Sequence, residues 1–230
     1  MKQWIMSTLI LLTSMSCFAQ DQTLNLSAFN NLYASTSVDI ELIQSDQNKA
    51  EVNIIKGDPD QFKISDSGNT LKIYWKSNSG NNWNNNRKAE VTLYYTDLES
   101  IDVSAGANVY GKETMKVEDF EARVDSGGRL DLVLEANEIE VDVNSGGNFT
   151  AEGTANKLEV DANSGGYFKG KKLEVSHVDA HANSGGNAKV WATSSIKASA
   201  NSGGNVSYKG EPTNKKIKKD KWSGGSVRKI

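Results

Sequence analysis

The sequence predicts an all-β fold, a single-stranded β-helix-like solenoid, on three observations. A seven-residue motif recurs: VDSGGRL from Val124, VNSGGNF from Val143, ANSGGYF from Ala162, ANSGGNA from Ala182 and ANSGGNV from Ala200. Its spacing is nearly constant, since Ala105, Ser126, Ser145, Ser164, Ser184, Ser202 and Ser223 stand 21, 19, 19, 20, 18 and 21 residues apart. Upstream of each anchor the side chains alternate with period two, as in Leu158-Glu159-Val160-Asp161-Ala162, which puts apolar groups on one side of a strand and charges on the other. A repeat of this kind is one unit that buries its apolar face only by stacking on its neighbours. The leucine-rich alternative lacks its L-x-x-L-x-L-x-x-N frame, and no unit has the run of 3.6-residue periodicity that a helix needs.

Taken from the N-terminus, the 230 residues open on Lys2 and an apolar run over 4–16, too short to span a bilayer, followed by Cys17-Phe18-Ala19. Residues 1–19 read as a secretory leader cut after Ala19, with Cys17 leaving alongside it; the alternative is lipidation and anchoring through Cys17. No later stretch is apolar enough for a membrane-spanning helix. The expected location is therefore periplasm, cell surface or medium.

Residues 20–98 are expected to be β-rich but less regular. Val38, Ile40 and Leu42, then Leu71, Ile73 and Trp75, then Val91, Leu93 and Tyr95 each alternate with outward residues. This part is read as wider first coils or an antiparallel cap, which would shield the open end of the stack from other chains. A polar loop with six Asn over 77–86 carries Trp83, a ring that could stack on a sugar.

Residues 99–208 are the regular coils. Three inward columns are predicted: Phe120, Ile139, Leu158, Val178, Ile196; Ala122, Val141, Val160, Ala180, Ala198; and Val124, Val143, Ala162, Ala182, Ala200. The corners comprise Ser126-Gly127-Gly128, Asn144-Ser145-Gly146-Gly147, Asn163-Ser164-Gly165-Gly166, Asn183-Ser184-Gly185-Gly186 and Asn201-Ser202-Gly203-Gly204. Glycine there allows a bend that a Cβ would resist, and the Asn column with Asp125 can bond to its equivalents one coil away. A short second segment such as Asn148–Ala151 and another turn are expected to complete each coil. The corner line is read as turn chemistry rather than as a ligand groove.

Candidate chemistry is sparse. His177, Asp179 and His181 point outward from one strand at a spacing suited to a transition metal, though an ordinary solvated strand face has the same pattern. The alignment also stacks Glu121, Glu140, Glu159 and Asp179, with Asp142 and Asp161 in the next column. Like charges about 4.8 Å apart repel by roughly 1 kcal/mol per pair in water. Weak calcium binding would relieve this; salt, Arg123, Lys157 and Lys197 would do so as well. No cofactor is otherwise expected. Residues 209–230 carry a net +6, and the chain from 20 to 208 a net −10.

The overall charge of −3 argues against a general nucleic-acid surface, and a single Cys excludes a disulfide framework. No G-x-S-x-G elbow or phosphate loop is present, so the chain is not expected to be an enzyme.

The secretory start, the segment FNNLYASTSVDIELIQSD and the recurrent S-G-G or S-A-G-A corners together resemble the head GIN domain, the auto-transporter adhesin head family of Bacteroidetes envelope proteins. The resemblance covers roughly residues 25–210. The family usually reads S-G-A-G at the corner, whereas most coils here read N-S-G-G. The resemblance implies a right-handed β-helix-like fold at the cell envelope and supplies no catalytic residues. The expected role is a non-catalytic adhesion, binding or structural module. Its partners would be envelope glycan, lipopolysaccharide or another envelope protein. A polysaccharide lyase or hydrolase on the same scaffold, and a self-assembling structural element, are the alternatives.

Overall fold

The computed structural model describes residues 22–76, 87–219 and 224–230. The leader with Cys17, the Trp83 loop and the last anchor Ser223 lie outside the described residues. Sixteen strands form one continuous sheet: β1 (Gln22–Asn25), β2 (Asn31–Ser35), β3 (Val38–Gln44), β4 (Lys49–Lys56), β5 (Phe62–Ser67), β6 (Thr70–Trp75), β7 (Lys88–Tyr95), β8 (Ser100–Ser104), β9 (Asn108–Val124), β10 (Arg129–Val143), β11 (Asn148–Ala162), β12 (Tyr167–Ala182), β13 (Asn187–Ala200), β14 (Asn205–Lys209), β15 (Asn214–Lys219) and β16 (Ser226–Lys229). A 3-10 turn at Pro59–Gln61 is the one helical element among the described residues. No helix there is long and apolar enough to cross a membrane.

The solenoid has about six turns. Strands β9 to β13 pair in parallel and in register, so Ile139 lies between Phe120 and Leu158, and Val178 between Leu158 and Ile196. Every residue of the three predicted inward columns is buried, none more than 3% exposed. Phe149 and Phe168 fill another part of the interior, their rings edge to face at 5.5 Å. Each coil's apolar side is thus covered by the next coil's, which no single repeat could achieve.

Two expectations need correction. Each coil has one tight corner, not two. Strand β11 runs unbroken from Asn148 to Ala162 and bends around the far side. Shifts in strand register after Thr150 and Lys169 absorb that bend, helped by Gly153 at φ +111°, where a Cβ would sit 2.0 Å from the Leu134 carbonyl oxygen.

The two corner glycines, moreover, serve different ends. In Asn183-Ser184-Gly185-Gly186 the central residues Ser184 and Gly185 have φ of 48° and 76°, and the Gly186 N–H donates to the Asn183 carbonyl at 2.8 Å. That is the sign pattern of a type I′ turn. The first glycine therefore supplies a positive φ. The second does not; its hydrogen faces the preceding coil, where a Cβ would lie 2.0 Å from the Ala162 carbonyl oxygen.

The N-terminal part contains both coils and a cap. Strands β2 and β3 flank a corner at Thr36 and Ser37, with φ of 67° and 51°, and pair in parallel with β8 and β9. On their other side lie β6 and β7, also parallel. The coil nearest the N-terminal end therefore comes later in sequence than the one stacked on it. Outside it, β5 pairs antiparallel with β6, and β4, itself paired with β1, pairs antiparallel with β7. The opposite end closes on β15 and β16.

Candidate functional site

Because side chains alternate along each strand, the stack presents outward ladders. One lies on the segments that lead into the corners. There Ser100, Glu121, Glu140, Glu159, Asp179, Lys197 and Lys216 follow one another strand by strand. Asp102, Arg123, Asp142, Asp161, His181, Ser199 and Lys218 form the adjoining column. The predicted carboxylate columns are therefore present.

Basic groups hold much of this acidic ladder. Arg123 reaches Glu121 at 2.6 Å and Asp142 at 3.7 Å, Lys197 reaches Asp179 at 2.6 Å, and Lys157 pairs with Glu138. Among the described residues no three of His, Cys, Asp or Glu converge on a point that could hold a metal ion. Glu140 and Glu159 are register partners on neighbouring strands. Partial burial raises the Asp161 carboxyl above the usual range; His181 opposes this, and Asp142, Glu159 and Asp179 add to it.

The two histidines do point outward with Asp179, as predicted, but they turn to the next coil rather than to each other. His177 Nδ1 lies 2.9 Å from Ser195 Oγ, and His181 Nδ1 lies 2.6 Å from Ser199 Oγ. His181 Nε2 is 2.9 Å from Asp179 Oδ1. His181 thus links a hydroxyl to a carboxylate, and each histidine is occupied by a stacking partner.

At the corners the backbone ladder continues, each Asn N–H donating to the carbonyl of the coil before it at 2.9 Å. The Asn201 side-chain amide donates to Asn183 Oδ1 at 3.1 Å, the coil-to-coil bond the repeated Asn suggested. Ser126, Ser145, Ser164, Ser184 and Ser202 are exposed at the turn tips. Turn chemistry accounts for this line.

A second ladder leads away from the corners, and its charge changes along the solenoid axis. Near the N-terminal end, Asp39, Glu41, Glu51 and Glu90 line an open depression with Thr92 and Tyr110. Lys88 bridges Asp39 and Glu90, Lys112 meets Glu41 and Lys49 meets Glu51. Further along, the column Tyr110, Asp131, Thr150 becomes Lys169, Lys189, Ser207 and Arg228. Lys169 and Lys189 both stand over the Tyr167 ring, 5.0 and 4.8 Å from its centroid, and Lys209 stands 3.6 Å over Trp191. The sequence analysis marked the basic 209–230 segment that holds Lys209 and Arg228, but missed its continuation through Tyr167, Lys169, Lys189 and Trp191. The signal was available in the repeat alignment, which sets Lys169 of YFKG directly against Lys189 of NAKV.

Residues 28–212 match the family model described as "Putative auto-transporter adhesin, head GIN domain". Solved structures share the fold. A putative adhesin from Bacteroides fragilis superposes with a TM-score of 0.78 at 23% identity, covering 92% of this chain and 96% of that one. One from Parabacteroides distasonis gives 0.70 at 21% identity, with the same 92% and 96% coverage. A structure named as a putative lipid binding protein, also from Parabacteroides distasonis, gives 0.64 at 19% identity, again covering 92% and 96%. No curated protein matches the chain.

Proposed function

The chain belongs to the head GIN domain family, and we propose that this member is an exported, non-catalytic envelope module that binds through the outward ladder leading away from its corners. The observation that carries the reading is the sorting of charge along the second ladder: Asp39, Glu41, Glu51 and Glu90 crowd its N-terminal end, whereas Lys169, Lys189 and Lys209 occupy its C-terminal one. Rigid ladders with fixed charge suit an extended partner better than a small one, because their groups repeat at the strand spacing and do not converge. The adhesin and lipid-binding names of the structural neighbours agree with a binding role, and fold alone establishes no ligand.

A hydrolytic reading has one observation in its favour, the chain from Ser199 through His181 to Asp179. Those groups lie side by side on an open sheet. Catalysis would further require donors placed around a developing oxyanion. Glycan-array binding by the purified protein, paired with a reducing-sugar assay on the glycans it retains, separates the two. Retention without sugar release is expected; turnover abolished by His181→Ala would replace binding with catalysis.

A further inference from the structure

We propose that the C-terminal end of the second ladder, built from Tyr167, Lys169, Lys189, Trp191, Lys209 and Arg228, is a binding track for a carboxylate-bearing polysaccharide lying along the solenoid axis. This rests on the binding-module reading and names its face and ligand class. Lys169 and Lys189 are directly opposed on neighbouring strands, a pairing of like charges that destabilises a sheet unless something offsets it. The Tyr167 ring beneath both offers partial compensation. Among the described residues no carboxylate lies within ion-pair distance of Lys169, Lys189, Lys209 or Arg228. On the same ladder nearer the N-terminal end, Lys49, Lys88 and Lys112 are all paired. Arg228 extends the row, its guanidinium reaching Ser207 Oγ at 3.3 Å.

The partner is a polymer because the cations are set out in line, repeating at about the strand spacing of 4.8 Å. It is a polysaccharide rather than a bilayer because the track lacks an apolar wedge. The large apolar residues exposed among the described ones are Leu24, Ile55, Ile217 and Ile230, and none belongs to the track. Tyr167 and Trp191 are half-buried, presenting ring surface beside the cations, which suits a sugar ring carrying an anionic group. Glu174, in register with Trp191, flanks the track and makes it selective against densely charged polyanions.

The test measures binding of the full chain to polygalacturonate at low ionic strength without divalent cations. Fully methyl-esterified polygalacturonate and phosphatidylglycerol vesicles serve as comparison probes. Lys169→Glu with Lys189→Glu is expected to weaken polygalacturonate binding at least tenfold. Lys216→Glu with Lys218→Glu makes the same charge change on the other ladder at the same end, and is expected to leave it within about twofold. Thermal melts establish that both variants fold. Equal losses in the two double variants would reduce the effect to bulk charge and overturn the track. So would binding of the vesicles alone, or of the esterified polymer as tightly as the acid. Retention of uncharged glycans untouched by the Lys169 and Lys189 changes would overturn the track while leaving the binding module standing. Failure to retain any glycan or vesicle would overturn both.

Discussion

At the scale of single residues, the corner shows how one short motif meets two separate steric demands. In the Ser184-Gly185-Gly186 corner, Gly185 sits at φ +76° with nothing within 4 Å of where its Cβ would be, so alanine there meets only backbone strain. A left-handed conformation costs an L-residue about 1–2 kcal/mol. Gly186 has an ordinary φ, yet its Cβ would fall 2.0 Å from the Ala162 carbonyl oxygen and 2.8 Å from the Asn163 nitrogen. Relief would require the two coils to separate and the Asn183 N–H bond to Ala162, now 2.9 Å, to break. Gly186→Ala is accordingly expected to cost roughly 4 kcal/mol or more, against about 1–2 for Gly185→Ala. Urea unfolding of the two variants checks this, and equal losses would mean that the coils do not rest on the second glycine. Serine at the preceding position, with φ between 45° and 49° in five coils, bears the same left-handed strain in a residue that has a Cβ.

At the scale of elements, each coil is a bent strand whose interior is set by what it stacks on. Phe149 and Phe168 occupy equivalent places on β11 and β12, wholly buried, with rings inclined at 66°. Either one changed to alanine should cost about 3–5 kcal/mol, because neighbouring strands cannot move in to fill the space. The double variant should lose less than the sum by about 0.5–1.5 kcal/mol, the worth of the edge-to-face contact. Strict additivity in denaturant titrations would place the two rings in independent environments. This column, like the three built on Phe120, Ala122 and Val124, follows from the alignment alone: equal spacing in the chain becomes vertical stacking whenever corners repeat. The bend opposite the corner was not legible, because register shifts and Gly153 absorb it without a repeated residue type. Nor was the order of the first coils. Thr36 and Ser37 turn the chain as Ser184 and Gly185 do, but without glycine, so the β2–β3 coil lacks the mark that identifies the others. The acidic ladder was legible, and the basic track only in part, since Lys169 and Lys189 acquire meaning through the ring they share.

At the scale of the molecule, a stack of parallel strands has two ends, and each must be kept from recruiting another copy. The N-terminal end is closed by changing strand direction, with β5 and the β1–β4 pair running antiparallel to the coil they cover. Among the described residues the C-terminal end has no antiparallel cover. Strand β15 pairs with β13 on one side, and its outward positions in register with Lys197 and Ser199 hold Lys216 and Lys218. Its sequence is NKKIKK, and Lys216 and Lys218 are exposed. A second chain adding there would strip water from these ammonium groups and bring them against its own. Charge on an edge strand is an effective deterrent for that reason. Replacing Lys216 and Lys218 by valine removes the deterrent and leaves a short β-branched edge with unpaired backbone groups. The variant is expected to associate: its mass by light scattering should rise with concentration over the micromolar range, while the parent's does not. If the variant holds the parent's mass throughout, the lysines do not guard this edge. The same two positions leave the proposed track on the other ladder unaltered, so edge protection and ligand binding can be varied independently at one end of the solenoid.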